Sequence, residues 1–198
     1  MRKNRGYKRG EPFRDARLFV IACEGEKREK EYFERLGHGS QRLKVKVLSP
    51  DSTRSLSAPK WVVDRLVNFI EKEGANIKWG DQIWLVMDVD RWKENQLFEI
   101  AELCLRERWG FALSNPCFEV WLLLHIKDIQ DSDSSSCQGF KKELSQVVKG
   151  GYSPDKFVTL VSDAISRCQS LEMDLNSPIP GTKTSRVYLV AEEMLKLF

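Results

Sequence analysis

Two short apolar runs constrain the fold of this chain more than any other feature of its sequence. The runs are Leu18–Cys23 and Ile83–Met87; each contains β-branched residues and is followed directly by an acidic residue. An unbroken apolar strand is typical of a sheet that is covered on both faces, and such sheets are mostly parallel. The two runs therefore predict an α/β fold.

The segments around these runs have the periodicities of helices and of further strands. Residues 43–47 alternate between apolar side chains and lysines, as expected for a strand, and residues 111–113 form another short apolar run. Apolar residues recur every three or four positions in residues 27–36, 59–73 and 97–105. Because these connections are long enough to be helices, the order predicts an open, mostly parallel sheet that is flanked by helices.

The second half of the chain has a different, helical pattern. Residues 116–127 are apolar on nearly all sides of a helix, which indicates a buried helix. The next segment, 128–139, is polar and rich in serine and favours a loop, and further helices are expected over 140–149, over 155–174 and at the end of the chain. The sequence thus predicts a basic flexible arm (1–16), an α/β core (17–127) and a C-terminal helical cap (128–198) that packs on the core, within the same domain or as a small appendage.

The charge of the chain is distributed unevenly. The net charge is +3, but residues 1–17 hold seven Lys or Arg residues against two acidic residues. That segment therefore carries +5, and the rest of the chain carries −2. A basic arm can attract phosphate polyanions such as nucleic acids, because their counterions are released on binding. The alternative interpretation is a flexible tail that keeps the protein soluble.

The cysteines and the apolar runs exclude several protein classes. The five cysteines form no CxxC pair, which predicts reduced thiols rather than a disulfide framework or a zinc site. The apolar runs are much shorter than the roughly 20 residues that cross a bilayer, and no apolar segment of a signal peptide follows the first charged residues. We therefore expect a cytoplasmic protein with no membrane partner.

Three acidic side chains follow the two predicted buried strands directly. Glu24 comes after the first run, and Asp88 and Asp90 come after the second. Ligands of open α/β sheets bind outside the carboxyl ends of the strands, and alternate residues of an extended backbone point to the same side. If the two strands are neighbours in the sheet, all three carboxylates converge.

Converging carboxylates need cations to neutralise them, because unpaired buried charge is costly. Oxygen ligands without His or Cys suit Mg²⁺ or Mn²⁺, and such ions can polarise a phosphodiester and activate water. Gly25 permits the close approach of a ligand to the backbone, and Lys27 adds a donor at a helix N-terminus that favours phosphate. The alternative is a structural cluster of salt-bridged acids.

A third candidate region is Ser114–Trp121. Asn115 and Pro116 have the residue types of a helix N-cap and first helical residue, which explains them locally. Glu119 is the acid in an otherwise apolar helix, so its carboxylate must find a lysine, an arginine or a cation. His125 in the same helix is expected to be a core histidine rather than a catalytic base.

Two further features could contact a nucleic acid. Lys183 and Arg186 precede the last predicted helix, and its N-terminus could hold a phosphate or only a cap. Trp92, just after the second acidic pair, is expected to pack against the protein, with stacking on a base as the alternative.

Four segments together carry a resemblance to a known family. They read FVIACEGEKREKEYFERL, IWLVMDVDRW, LSNPCFEVWLLLHI and TSRVYLVAEEML. In this order they resemble the RloB-like family, which has a TOPRIM-type core and occurs in bacterial defence loci, often beside an AAA- or ABC-type ATPase. One departure is Arg28, where a small polar residue is expected.

The resemblance implies a Mg²⁺-dependent reaction at a phosphodiester. Glu24 matches the TOPRIM glutamate, which is a metal ligand or a general acid or base, and Asp88 and Asp90 match the metal-binding DxD pair. Asn115 and Glu119 match a later motif of the family; we expect Glu119 to be a further metal ligand and Asn115 to contact the substrate.

Two classes of function follow. The first is a metal-dependent nuclease that acts on DNA or RNA, including tRNA, in anti-phage defence with an ATPase partner, as a monomer or an oligomer. The second is a non-catalytic TOPRIM-like adaptor that docks on the ATPase or holds nucleic acid. A lesser alternative is a small-molecule phosphotransferase or nucleotide hydrolase, but the chain contains no GxxxxGK[ST] motif.

Overall fold

The two apolar runs lie side by side in a five-stranded sheet. The computed structural model describes residues 16–50, 59–131, 133–149, 152–172, 174 and 176–198, so the predicted arm, apart from Ala16 at its end, lies outside the described residues. The strands follow the order β2-β1-β3-β4-β5, and all neighbours are parallel except β4 and β5. Their bounds are Arg17–Cys23 (β1), Leu43–Leu48 (β2), Gln82–Asp88 (β3), Gly110–Asn115 (β4) and Thr184–Ser185 (β5). The predicted open, mostly parallel sheet is confirmed.

Helices cover both faces of this sheet. Their bounds are Arg28–Gly37 (α1), Pro59–Glu73 (α2), Glu94–Glu107 (α3), Phe118–Ile126 (α4), Cys137–Val147 (α5), Pro154–Val158 (α6), Val161–Leu171 (α7) and Val187–Leu195 (α8). A short 3₁₀ helix, Gly74–Asn76, follows α2. The arrangement is three-layered, with α2 and α3 on one face and the remaining helices on the other.

The side chains of β1 show why the sheet needs both helical layers. Phe19, Ile21 and Cys23 belong to the larger apolar cluster, whereas Val20 and Ala22 belong to the smaller cluster on the opposite face. All five are fully buried. Because alternate residues of a strand point to opposite faces, an unbroken apolar run buries both of them.

Helix α4 lies in the centre of the larger cluster. It contacts α5 and α7 as well as β4 and β5, and its residues from Phe118 to His125 are all buried. This environment explains why the helix is apolar on all sides. Phe140 of α5 and Phe157 of α6 share the same cluster, so the helices after residue 127 pack on the sheet through a continuous core.

Two local predictions were wrong, and one short strand was not predicted. Helix α4 begins at Phe118 rather than at residue 116, because Asn115 still pairs with Thr184 in the sheet and Cys117 has extended dihedral angles (φ −152°, ψ 169°). The Asn115–Pro116 peptide bond is cis. The helix expected over 155–174 is divided into α6 and α7, where Leu160 N–H donates to the Phe157 carbonyl and closes the last turn of α6. The short β5 was not predicted, because two residues show no periodicity.

Within the described residues, no helix is both long and apolar enough to cross a bilayer.

Candidate functional site

The carboxyl ends of β1 and β3 bring Glu24 and Asp88 together. The strands are parallel neighbours with Cys23 opposite Val86, and Glu24 N–H donates to the Val86 carbonyl at 3.2 Å. One carboxylate oxygen of Glu24 accepts a hydrogen bond from Asp88 N–H at 3.2 Å. The predicted adjacency of the two strands is confirmed, and it is what places these two acids at one edge of the sheet.

Glu24 is held by further donors from the loop after β3. Nε1 of Trp92 donates to the carboxylate at 3.0 Å, and the Arg91 guanidinium lies 3.4 Å from the other oxygen. The side chain of Glu24 is 4% exposed. The carboxylate is therefore a fixed, buried negative group, and Trp92 is one of its hydrogen-bond donors.

Glu29 is a site residue that the sequence analysis missed. It is buried in the first turn of α1, and the backbone groups of Glu29 itself and of Gly25 partly offset the rise that burial causes in the pKa of its carboxylate. A Cβ atom on Gly25 would lie 1.9 Å from a carboxylate oxygen of Glu29. The missing side chain at residue 25 thus leaves room for the Glu29 carboxylate. The signal available in the sequence was an acidic residue, Glu29, four positions after the glycine that follows the first strand.

Glu119 approaches the same region from the first turn of α4. Its Oε1 accepts a hydrogen bond from Arg28 at 2.6 Å, and its Oε2 lies 3.8 Å from Sγ of Cys137. The sequence predicted that Glu119 needs a cationic partner, and that partner is Arg28 of α1. Arg28 is also the residue that stands where we expected a small polar residue.

The buried acids perturb one another electrostatically. Burial, followed by repulsion from the neighbouring carboxylates of Glu29, Glu24, Glu119 and Asp90, raises the pKa of Asp88 well above its usual range. Burial, with repulsion from Glu119 and Glu24, raises the pKa of Glu29 to about 7. The region therefore has a strong negative potential that a bound cation would relieve.

A cavity of about 210 Å³ opens between these groups, and we call it the carboxylate cleft. Its lining holds the carboxylates of Glu24, Glu29, Asp88 and Glu119 and the cationic side chains of Lys27, Arg28, Arg91 and Lys141. Acids thus lie at the end of the sheet beside basic groups, an arrangement that can hold both a cation and a phosphate.

The donor set suits a hard divalent ion, because every acid in the cleft offers carboxylate oxygens. Their present positions are set by arginines, since Arg91 pairs with Glu24 and Arg28 pairs with Glu119. Asp90 is exposed, and its N–H donates to the Pro116 carbonyl at 3.1 Å. Within the described residues, the ligand atoms of Glu24, Asp88 and Asp90 are not all within 4.8 Å of one another. Mg²⁺ or Mn²⁺ would therefore need these side chains to adjust around it.

The predicted phosphate-binding residues do not all lie at the cleft. Gly25 and Lys27 line it, and the Lys27 side chain is 80% exposed. Asn115 instead donates to the Pro180 carbonyl at 2.9 Å, and Nζ of Lys183 donates to three carbonyl groups of residues 130–133. Arg186 forms a two-point ion pair with Glu172 and is 6% exposed. In this structure the side chains of Asn115, Lys183 and Arg186 hold loops of the protein.

His125 is a core residue, as expected. Its ring nitrogens lie 3.1 Å from the Tyr32 hydroxyl and 2.8 Å from the Trp121 carbonyl, and the residue is 1% exposed. Burial lowers the pKa of His125 to about 4, so the ring is neutral near pH 7.

Comparison with known proteins identifies one family. Searches of curated proteins and of solved structures found no significant match. The family model described as RloB-like protein matches residues 19–194, which is nearly the whole chain and includes every acid of the carboxylate cleft. This chain therefore belongs to the RloB-like protein family.

Proposed function

We propose that this protein is a Mg²⁺- or Mn²⁺-dependent nuclease that hydrolyses phosphodiester bonds of DNA or RNA. The observation that carries the proposal is the convergence of Glu24, Glu29, Asp88 and Glu119 on one cleft at the carboxyl ends of the parallel strands. Such a concentration of buried acid is costly unless it binds a cation. Membership in the RloB-like family and the TOPRIM-like order of the acids support the same interpretation.

Glu24, Asp88 and Glu119 would hold the ion, and Asp90, which is exposed and does not line the cleft, would have to turn towards it. When bound, such an ion polarises a phosphodiester and lowers the pKa of a coordinated water. Lys27 and Lys141 line the cleft and would contact the phosphate, and Arg91 would contribute a guanidinium on the Glu24 side. These cations would orient the substrate and balance its negative charge.

Glu29 has the proton affinity that a general acid or base needs. In the metal-free protein, burial and repulsion from Glu119 and Glu24 raise its pKa to about 7, so the carboxyl group can accept a proton and release one near neutral pH. It lies in the cleft against Gly25, whose missing side chain leaves room for the carboxylate. We assign it the proton-transfer role and assign Glu24 to metal binding.

A nuclease assay tests the proposal. Purified protein is incubated with Mg²⁺ or Mn²⁺ and labelled plasmid, single-stranded DNA or tRNA. We expect cleavage by the wild type, loss of at least about 100-fold in Asp88→Asn and Glu24→Gln as for essential catalytic groups, and retention in Asp81→Asn. Asp81 is a matched control because it lies just before β3, at the opposite end from Asp88. Cleavage that survives Asp88→Asn combined with Asp90→Asn would reject the assigned site.

A non-catalytic adaptor is the second candidate, and one observation favours it. Arg91 and Arg28 already pair with Glu24 and Glu119, so these acids have partners without a metal ion. If the protein is an adaptor, calorimetry will show no Mn²⁺ binding that depends on Glu24. If it is a nuclease, the wild type will bind Mn²⁺ and Glu24→Gln will not.

The biological setting is part of the proposal. The family resemblance supports a role in bacterial anti-phage defence in the cytoplasm, together with an AAA- or ABC-type ATPase that delivers or exposes the nucleic acid. Copurification of the tagged chain with any AAA- or ABC-type ATPase that is encoded beside its gene tests this partnership. Recovery of the chain alone, from cells that express both proteins, would count against it.

A further inference from the structure

Two cysteines and one glutamate converge beside the carboxylate cleft. Cys117 is the N-cap residue of α4, Cys137 is the first residue of α5, and Glu119 lies in the first turn of α4. One ligand atom from each of the three lies within 4.8 Å of the others. Sequence spacing did not reveal this group, because twenty residues separate the cysteines and no CxxC motif is present.

The two oxygens of Glu119 have different surroundings. Oε1 accepts the hydrogen bond from Arg28 at 2.6 Å, whereas Oε2 lies 3.8 Å from Sγ of Cys137. The carboxylate therefore presents one oxygen to the arginine and the other to the thiols. An ion bound on the thiol side would not have to displace the Arg28 guanidinium.

The surroundings of the thiols are negative. Burial raises the pKa of Cys117, and the carboxylates of Glu119 and Asp88 raise it further. Burial likewise raises the pKa of Cys137, with Glu119 and Asp90 acting in the same direction and Lys141 opposing them. Both thiols are thus neutral near pH 7, and a nearby divalent cation would stabilise their thiolate forms.

We propose that Cys117, Cys137 and Oε2 of Glu119 form a binding site for a thiophilic divalent cation of the Zn²⁺ class. Sulfur ligands select such ions over Mg²⁺. Two sulfurs on a tetrahedral zinc ion are separated by about 3.8 Å, which the observed cluster can reach with small side-chain movements. Three protein ligands leave a fourth position for water, as in open zinc sites.

Binding at this site involves proton release and no redox change. Each thiol gives its proton to solvent as its sulfur binds the ion, and Glu119 binds through its existing carboxylate. The ion would link the N-terminal ends of α4 and α5, and so would connect the edge of the sheet to the helical cap. The site shares Glu119 with the proposed nuclease site, but its two sulfur ligands are separate from Glu24, Asp88 and Asp90, so it does not rest on the nuclease activity.

Lys141 provides a sharp electrostatic prediction. Burial lowers the pKa of Lys141, but the nearby negative charge of Glu119 and its other neighbours outweigh burial and raise it. A positive charge there opposes the binding of a cation. We therefore expect Lys141→Gln to bind the ion at least several-fold more tightly than the wild type.

Titration of the full chain with Co²⁺, which reports thiolate ligands by absorption, tests the site. We expect one equivalent to give sulfur-to-cobalt charge-transfer absorption that Zn²⁺ abolishes and excess Mg²⁺ does not. Cys117→Ser and Cys137→Ser should lose this absorption. Cys104→Ser is the matched control, because Cys104 is buried in the apolar cluster on the opposite face of the sheet and should leave the absorption unchanged.

A second measurement needs no substitution and so does not depend on whether the variants fold. Mass spectrometry after alkylation should show Cys137 protected by one equivalent of Zn²⁺ and modified in its absence. Absence of the charge-transfer absorption together with unprotected Cys137 would overturn the proposal, as would absorption that persists in both serine variants. Mn²⁺ binding that requires Asp88 is a separate measurement, which neither of these results decides. The nuclease proposal can therefore fail or survive independently of the cysteine site.

Discussion

The guanidinium of Arg28 lies 2.6 Å from Oε1 of Glu119, and this ion pair joins the first turn of α1 to the first turn of α4. The Glu119 side chain is 7% exposed, whereas that of Arg28 is 42% exposed. A buried carboxylate is thus neutralised by an arginine that remains accessible from solvent. Arg28 stabilises the cleft in the absence of a cation, and it could release Glu119 to one.

Removal of Arg28 tests this relationship. Arg28→Ala leaves the buried Glu119 carboxylate without its partner, so we expect the free energy of unfolding to fall by about 1–3 kcal/mol without metal. Added Mn²⁺ should restore part of this loss, and urea denaturation measures both effects. Arg35→Ala is the control, because Arg35 pairs with the exposed Asp155 and such surface pairs contribute about 0–1 kcal/mol. Equal losses in the two variants would contradict the role given to Arg28.

Asp88 should show opposite effects on stability and on activity. Burial, and then repulsion from neighbouring acids, raise its pKa, so ionised Asp88 destabilises the metal-free protein. Asp88→Asn removes that charge with little change of shape, and we expect an unchanged or higher melting temperature together with lost nuclease activity. Thermal denaturation and the cleavage assay measure the two effects on one preparation. A variant that melts earlier and cleaves normally would show that Asp88 has a structural role instead.

Glu29 should make stability depend on pH. Its pKa rises from 4.5 to about 7 on folding, so the folded state favours the protonated form. The contribution of Glu29 to the free energy of unfolding is fully present below about pH 4.5 and is lost as the pH rises through 7. The total change is on the order of 3 kcal/mol.

The difference between the wild type and Glu29→Gln isolates this effect from other titrating groups, including the neighbouring Glu24, Asp88 and Glu119. The two proteins should be similarly stable near pH 4.5, and the wild type should be the less stable above pH 7. Urea denaturation across this range gives the comparison. His125 contributes with the opposite sign in both proteins, because its lowered pKa reduces stability in acid. A difference that does not vary with pH would rule out the raised pKa of Glu29.

Gly25→Ala should disturb the cleft without disturbing the fold. The new methyl group would overlap the carboxylate of Glu29, which must move, whereas the backbone can accept alanine. We expect a large loss of nuclease activity and a shifted pH–activity profile. In Gly181→Ala the added carbon would meet its nearest neighbour, a side-chain atom of Thr184, at 3.9 Å, so this variant should retain the wild-type profile. Normal activity in Gly25→Ala would argue against a catalytic Glu29.

The sequence predicted the sheet well because its central strands are buried on both faces. Because Val20 and Ile21 are buried on opposite sides of β1, this strand is an unbroken apolar run that is recognisable in the sequence. The same logic identified α4 as a buried helix. The break at Leu160 and the two-residue β5 depend on tertiary contacts, which leave no periodic signal in the sequence.

The candidate site was predicted in part. The strand ends identified Glu24 and Asp88, and the apolar surroundings of Glu119 predicted that it would need a partner. The identity of that partner could not be predicted, because Arg28 is 91 residues away in the sequence. Glu29 was missed since acidic residues are common in the first turn of helices, where they interact with the helix dipole. The engagement of Lys183 with backbone carbonyls depends on a loop conformation that local sequence does not specify.

The most direct test of the account is anomalous diffraction from crystals of the full chain soaked in Mn²⁺. We predict a peak inside the carboxylate cleft, bounded by Glu24, Asp88 and Glu119, in the wild type and no such peak in Asp88→Asn. The contradicting result is wild-type protein in saturating Mn²⁺ with no peak in the cleft and with the Arg91–Glu24 and Arg28–Glu119 pairs unchanged.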